Sequence, residues 1–225
     1  ARLDSEGTLE GSGIVPGKGI DLALAGLVRS GEGTLIAPLA AQFRAALARE
    51  APGSRLAASY TLRQGGDLAT LVIPGAVLTG RSGADILTLT RTEVMLGGKS
   101  GPRVAGNIVT GGPGFPAIEG QIVRQGAGRA TARLRMAEYR AGDARLALPE
   151  LVLVQESGGA IGFSGRAEIS GALPGGRIDS LVVPIDGTWS NRAGLAAWRR
   201  CVPLRFAGFQ LASLSLDRRE LTICP

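Results

Sequence analysis

Between residues 128 and 183 the side chains alternate, apolar then polar, for segment after segment, and this pattern limits the fold more than any other feature. Ala130, Ala132, Leu134 and Met136 alternate with Thr131, Arg133 and Arg135. Ile161, Phe163, Gly165, Ala167 and Ile169 alternate with Gly162, Ser164, Arg166 and Glu168. A period of two puts each set on its own side of a pleated strand, which predicts a sheet with one apolar and one wet face. Glycine numbers 35 of 225 residues and aromatics make up 4%. That composition suits many short strands joined by tight turns, and suits poorly a compact core built on large rings. The length allows one large all-β domain or two small ones.

Taken in order, the chain predicts strands at Arg2–Glu10 and Gly19–Val28, with Pro16-Gly17 as a turn between them. Residues 33–50 read differently, with a helix expected over about 38–50 inside a region, 33–53, that packs on the sheet. Pro38 suits a first helical turn, where its missing N–H costs nothing. Leu39, Phe43 and Leu47 recur at spacing four among alanines, and Pro52-Gly53 closes the segment. This predicts an Ala-rich helix that packs its stripe on the sheet; Arg44 and Arg49 beside the stripe also admit a membrane-surface reading. Strands follow at Arg55–Gln64, Asp67–Thr79, Ala84–Leu96, Arg103–Thr110, Ala117–Arg124, Arg129–Tyr139, Asp143–Gln155, Ala160–Gly171 and Arg177–Ile185. Short connections throughout argue for antiparallel neighbours. Residues 186–200 read as less regular, and Cys201–Leu211 with Ser213–Cys224 as a closing hairpin. Three apolar residues precede each of Pro74, Pro149 and Pro184. Proline cannot donate to a ladder, so these strands are expected to bend or break there, unless the recurrence is coincidence.

The composition narrows the chemistry. The chain has no histidine, which removes the Ser-His-Asp triad and most zinc sites. Gly98-Lys99-Ser100 lacks the first glycine of a phosphate-binding loop, since Glu93 stands there, and Gly17-Lys18-Gly19 lacks the Ser or Thr; both read as turns. Asp85 with Glu93, or Glu138 with Asp143, are the carboxylate neighbours open to acid–base work, and nothing sets them apart from solvated strand ends. Asp217-Arg218-Arg219-Glu220 reads as a polar hairpin turn. No enzyme, metal or cofactor is expected. The net charge of +6 is carried almost wholly by arginine, Lys18 and Lys99 being the two lysines. It reflects either genomic bias or attraction to phosphate. Scattered arginines without aromatic partners argue against nucleic acid. Cys201 and Cys224 are either free and buried or bridged in an oxidising compartment; a bridge would close a loop of about 24 residues, worth roughly 3 kcal/mol. No window of 18 or more apolar residues is present. With Ala1 at its start and strand pattern up to Pro225, the chain is expected to be a piece of a longer protein.

Arg200-Cys201-Val202-Pro203-Leu204-Arg205-Phe206, then Leu214-Ser215-Leu216 and Leu221-Thr222-Ile223-Cys224-Pro225, resemble the YdbH-like family, AsmA/TamB-type proteins of the Gram-negative envelope. The Pro-interrupted strands and the helix at 38–49 are similar too. The resemblance implies an internal or C-terminal segment of an inner-membrane-anchored periplasmic protein. Its fold would be a mainly β, elongated and curved antiparallel sheet forming a groove along which phospholipid acyl chains travel between the two membranes. Phospholipid or fatty-acyl chains would be the ligand. Envelope lipoproteins, or further segments of its own chain, would be the protein partners. The groove lining is expected at Ala132, Leu134, Met136, Ile161, Phe163, Ala167 and Ile169, and a disulfide at Cys201 and Cys224. Small residues there leave room beside larger ones for a lipid tail. The same residues could instead fill a closed β-sandwich core. A structural or adhesive envelope domain without ligand, and an envelope hydrolase with two carboxylates in one cleft, are the other functions considered.

Overall fold

A computed structural model of the chain describes residues 2–15, 17–98, 101–126, 128–156 and 158–224. Lys99 and Ser100 of the Gly98-Lys99-Ser100 turn, Pro16 of the expected Pro16-Gly17 turn, and Pro225 lie outside them. The elements in order are β1 (Arg2–Ser12), α1 (Lys18–Ser30), α2 (Ile36–Glu50), a short 3-10 turn (Ala51–Gly53), β2 (Arg55–Gly65), β3 (Leu68–Thr79), β4 (Asp85–Gly97), β5 (Arg103–Thr110), β6 (Ile118–Arg124), β7 (Ala130–Ala141), β8 (Ala144–Gln155), β9 (Ile161–Leu173), β10 (Gly176–Ser190), β11 (Gly194–Ala197), β12 (Val202–Leu211) and β13 (Leu214–Ile223).

The strands form one antiparallel meander of 13, in sequence order except that β11 sits beside β10 and β12 takes the next place. β1 and β13 do not pair with each other, so the sheet stays open. The sandwich alternative fails on this point: there is one sheet, not two stacked face to face. The two edges are exposed ladders, and each carries charge that discourages further pairing, with Asp4, Glu6 and Glu10 on β1 and Asp217 to Glu220 on β13. That tetrad therefore lies within a strand. The hairpin turn is Ala212-Ser213, earlier in the chain, with Ala212 at φ 50.

Prolines mark the interruptions. Pro74 sits where β2 and β3 slip register between Ala58 and Thr61. Pro149 sits in the slip of β8 against β9 between Ala147 and Glu150. Pro184 lies just past Val182, the last β10 residue paired with β12, and its carbonyl instead accepts the Trp198 indole N–H at 2.8 Å. A residue without an N–H is tolerated where the ladder has no bond to lose.

Gly19–Val28, expected as a strand, is helical. Its alanines and leucines fit both periods over so short a run, and the tertiary partner decides. α1 lies against α2, and Arg44 grips Asp21 with two bonds, Nε to Oδ1 at 2.6 Å and Nη2 to Oδ2 at 3.1 Å. Residues 186–200 are more regular than expected, since β10 runs to Ser190 and turns back into β11. The expected helix appears as α2, with Pro38 in its first turn.

α2 crosses one end of the sheet and is tied to successive hairpin ends. Near its start, the Leu35 N–H donates to Ala172 O beside the β9–β10 turn at 2.9 Å. Gln42 Nε2 donates to Arg140 O at the β7–β8 turn. Phe43 meets Phe115 edge-on at 5.7 Å, and Arg49 Nη2 donates to Pro113 O, both in the β5–β6 loop. At its finish, buried Glu50 accepts the Ser82 N–H at 2.9 Å in the β3–β4 turn. Six strand intervals from β3 to β9 span about 29 Å along a sheet, whereas a 15-residue helix is only about 22 Å long. A chord shorter than its arc requires the sheet to curve around α2, and a trough results, closed by α2 at one end.

Candidate functional site: an apolar groove with a covered end and an open mouth

In an antiparallel ladder directly paired residues share a face, so the register reads out the trough floor row by row. Across the middle run Ala58, Ala76, Leu89, Ile108, Gly120, Leu134, Leu151, Gly165 and Ile185. One row toward the mouth run Gly106, Ile122, Ala132, Leu153, Phe163 and Gly187. At the mouth itself run Leu62, Leu71, Val94, Val104, Arg124, Ala130, Gln155, Ile161 and Trp189. The other face of these strands is charged. Arg135 pairs with Glu119 across β6 and β7, an exposed ion pair of little stabilising weight.

The seven expected lining residues fall on this inner face, Ala132, Leu134 and Met136 on β7 and Ile161, Phe163, Ala167 and Ile169 on β9. β8 bridges the two sets with Leu146, Leu148, Leu151 and Leu153. The alternation of β8 is broken at Pro149, and its part in the floor is legible only in the register. Coverage separates the seven. Met136, 7% exposed, joins Leu39, Tyr139, Ala141 and Ala144 in a buried cluster beneath α2, with Phe43, Leu35 and Ile118 against it. The Tyr139 hydroxyl donates to Gly114 O at 2.8 Å, and burial pushes its pKa up. Ala167 is buried as well. Ala132, Leu134, Ile161 and Phe163 are half-buried on the rows toward the mouth, whereas Ile169, also half-buried, pairs with Leu146 in the row of Tyr139 at the α2 end. Ile122 on the same floor is 40% exposed.

The small residues have a packing role as well as a spatial one. A side chain at Gly120 would strike Leu134 Cδ2, one at Gly187 would strike the Phe163 ring, and one at Gly7 would press on Tyr60. Leu134, Phe163 and Tyr60 therefore lie down over glycines instead of standing into the trough, and the floor is level. Gly165 meets a different demand: a Cβ there would collide with the Glu150 carbonyl at the β8 bulge.

Cys201 and Cys224 form a disulfide. Val202 pairs with Ile223, so the bridge continues the β12–β13 register by one step and fastens the hairpin at the end opposite its turn. The outer face carries a shallow pocket of about 420 Å³ between β4, β5 and β6, lined by Glu93, Met95, Arg103, Val123 and Gln125 among others. Among the described residues no three His, Cys, Asp or Glu side chains gather to hold a metal ion. No described helix is long and apolar enough to cross a membrane. No protein-family model, curated protein or solved structure matches this chain.

Proposed function

We propose that this chain is a segment of a β-groove protein that carries acyl chains of phospholipids through the periplasm, with its inner face as the carrying surface. The observation that carries the reading is the floor between α2 and the mouth, which is continuous, apolar and uncovered. A contiguous apolar face left open to solvent marks a binding surface. Each methylene laid on it is worth about 0.8 kcal/mol when fully buried, so a tail lying along several rows binds usefully even when one side stays open. The levelled floor suits a flexible chain better than a rigid ligand, because it offers contact along its length and few shaped pockets. The YdbH-like resemblance of the Cys-Pro-flanked ends supports the same reading, as does a disulfide that suits an oxidising compartment.

Native mass spectrometry of the chain purified from a Gram-negative host tests it. Co-purified phospholipid or fatty acid in a mass-resolved complex is the expected result. Ligand-free protein that also fails to take up a fluorescent fatty acid overturns the proposal.

A further inference from the structure

Arg124 breaks the floor's pattern. Across β5 to β9, the inner rows fixed by the register contain one charged residue, and it is Arg124, at the mouth end of β6. It is half-buried. Among the described residues it makes no ion pair, and its one side-chain bond is from Nε to Gly126 O at 3.3 Å in its own hairpin. Glu156, on the turn two strands away, is engaged by Arg129 instead. Arg124 stands at the mouth end of its strand, where it also borders the pocket between β4, β5 and β6. Gln155 and Trp189 share its row. From Arg124 the floor runs apolar through Ile122 to Ile118 at the edge of α2, six residues and about 20 Å of strand.

A guanidinium is always charged and presents a fork of donors that suits carboxylate or phosphate oxygens. An unpaired one at the rim of an apolar floor that ends against a helix is matched by one kind of molecule. We infer that the groove holds single-tailed or double-tailed anionic amphiphiles in a fixed direction, the anionic head at Arg124 and the tail pointing toward α2. This rests on the groove reading above and adds a head-group site and an orientation to it.

The test compares the wild type with Arg124→Gln, Arg124→Lys and the outer-face control Arg133→Gln. The probes are oleate, uncharged monoolein with the same tail, and inorganic phosphate, followed by displacement of a fluorescent fatty alcohol and by direct calorimetry. A lost charge-assisted contact predicts that Arg124→Gln weakens oleate about 10-fold and leaves monoolein within twofold. Arg124→Lys keeps most of the oleate affinity, Arg133→Gln changes neither lipid, and phosphate alone binds weakly. Equal oleate affinity in wild type and Arg124→Gln, with both lipids bound, overturns the head-group site and leaves the groove standing. Phosphate binding as tightly as oleate overturns it too, since the tail would then contribute nothing. If neither lipid binds the wild type, the groove reading fails and the head-group site with it.

Discussion

The two ends of β7 lie on one face, the second brought there by a register shift between Met136 and Tyr139, and meet different fates. Met136 and Tyr139 lie under α2 and are buried; Ala132 and Leu134, a few residues toward the mouth, are half-buried with nothing above them. Leu39 and Phe43 of α2 make that difference, helped by the loop at 111–116 that reaches up to them. Alternation therefore states which side chains share a face. It does not state what, if anything, covers them. In this chain one element divides a continuous apolar face into a structural end and an available one, and each end can be probed separately.

The largest expected effect lies at the covered end. Leu39→Ala should cost about 2–5 kcal/mol in urea unfolding, as for other buried leucines that leave a cavity. Leu134→Ala should cost about 1 kcal/mol, because a half-exposed side chain has less transfer energy to lose. Equal costs would break the comparison, since the floor would then be sealed in solution. Next is the bridge. Cys201→Ser with Cys224→Ser removes a constraint worth about 3 kcal/mol in the chain-entropy model. Hydrogen exchange should quicken in β12 and β13 while β7 and β8 under α2 hold their protection. Uniform quickening would mean that the last hairpin is integral to the covered core.

The smallest effect appears only in acid, and again separates the ends. Glu50 is 1% exposed and sits where α2 meets the β3–β4 turn. The Ser82 N–H, then the Arg49 guanidinium, hold its carboxyl down at about 2 from an ordinary 4.5. A carboxyl depressed in the folded state stabilises fully above its unfolded value and loses that contribution as pH falls through the folded one. Protection around Glu50 and the turn at 80–84 should therefore weaken between about pH 4.5 and 2, and Glu50→Gln should flatten that slope. Exchange at the mouth should follow neither. A slope unchanged in Glu50→Gln would assign the acid sensitivity to other carboxylates.

Much of this was legible in the residues themselves. The strands from Arg55 to Leu173 fall close to their expected bounds, because alternation and Gly-rich turns are local signals that agree with each other. The three prolines announced the breaks in the ladders. Within β7, and again within β9, the expected lining residues share a face, since a period of two leaves no other choice inside one strand. The expected helix was visible in its spacing of four and its Pro38.

The rest depended on partners distant in sequence. Gly19–Val28 became helix because α2 and the Arg44 fork were there to receive it. Ala132, Gly165 and Ala167 read as room for a ligand; Gly120 and Gly187, to which the sequence drew no attention, are the seats over which Leu134 and Phe163 lie. Arg124 read as one arginine among many until pairing with Val104 and Ala130 placed it on the apolar side, at the mouth. Local pattern fixes a residue's face within its own strand, because adjacent Cβ atoms must point opposite ways. Which rows line up, where a floor ends and what lies over it are decided by register and by a helix inserted between β1 and β2. Those arise from packing between segments tens of residues apart, and only the tertiary structure contains them.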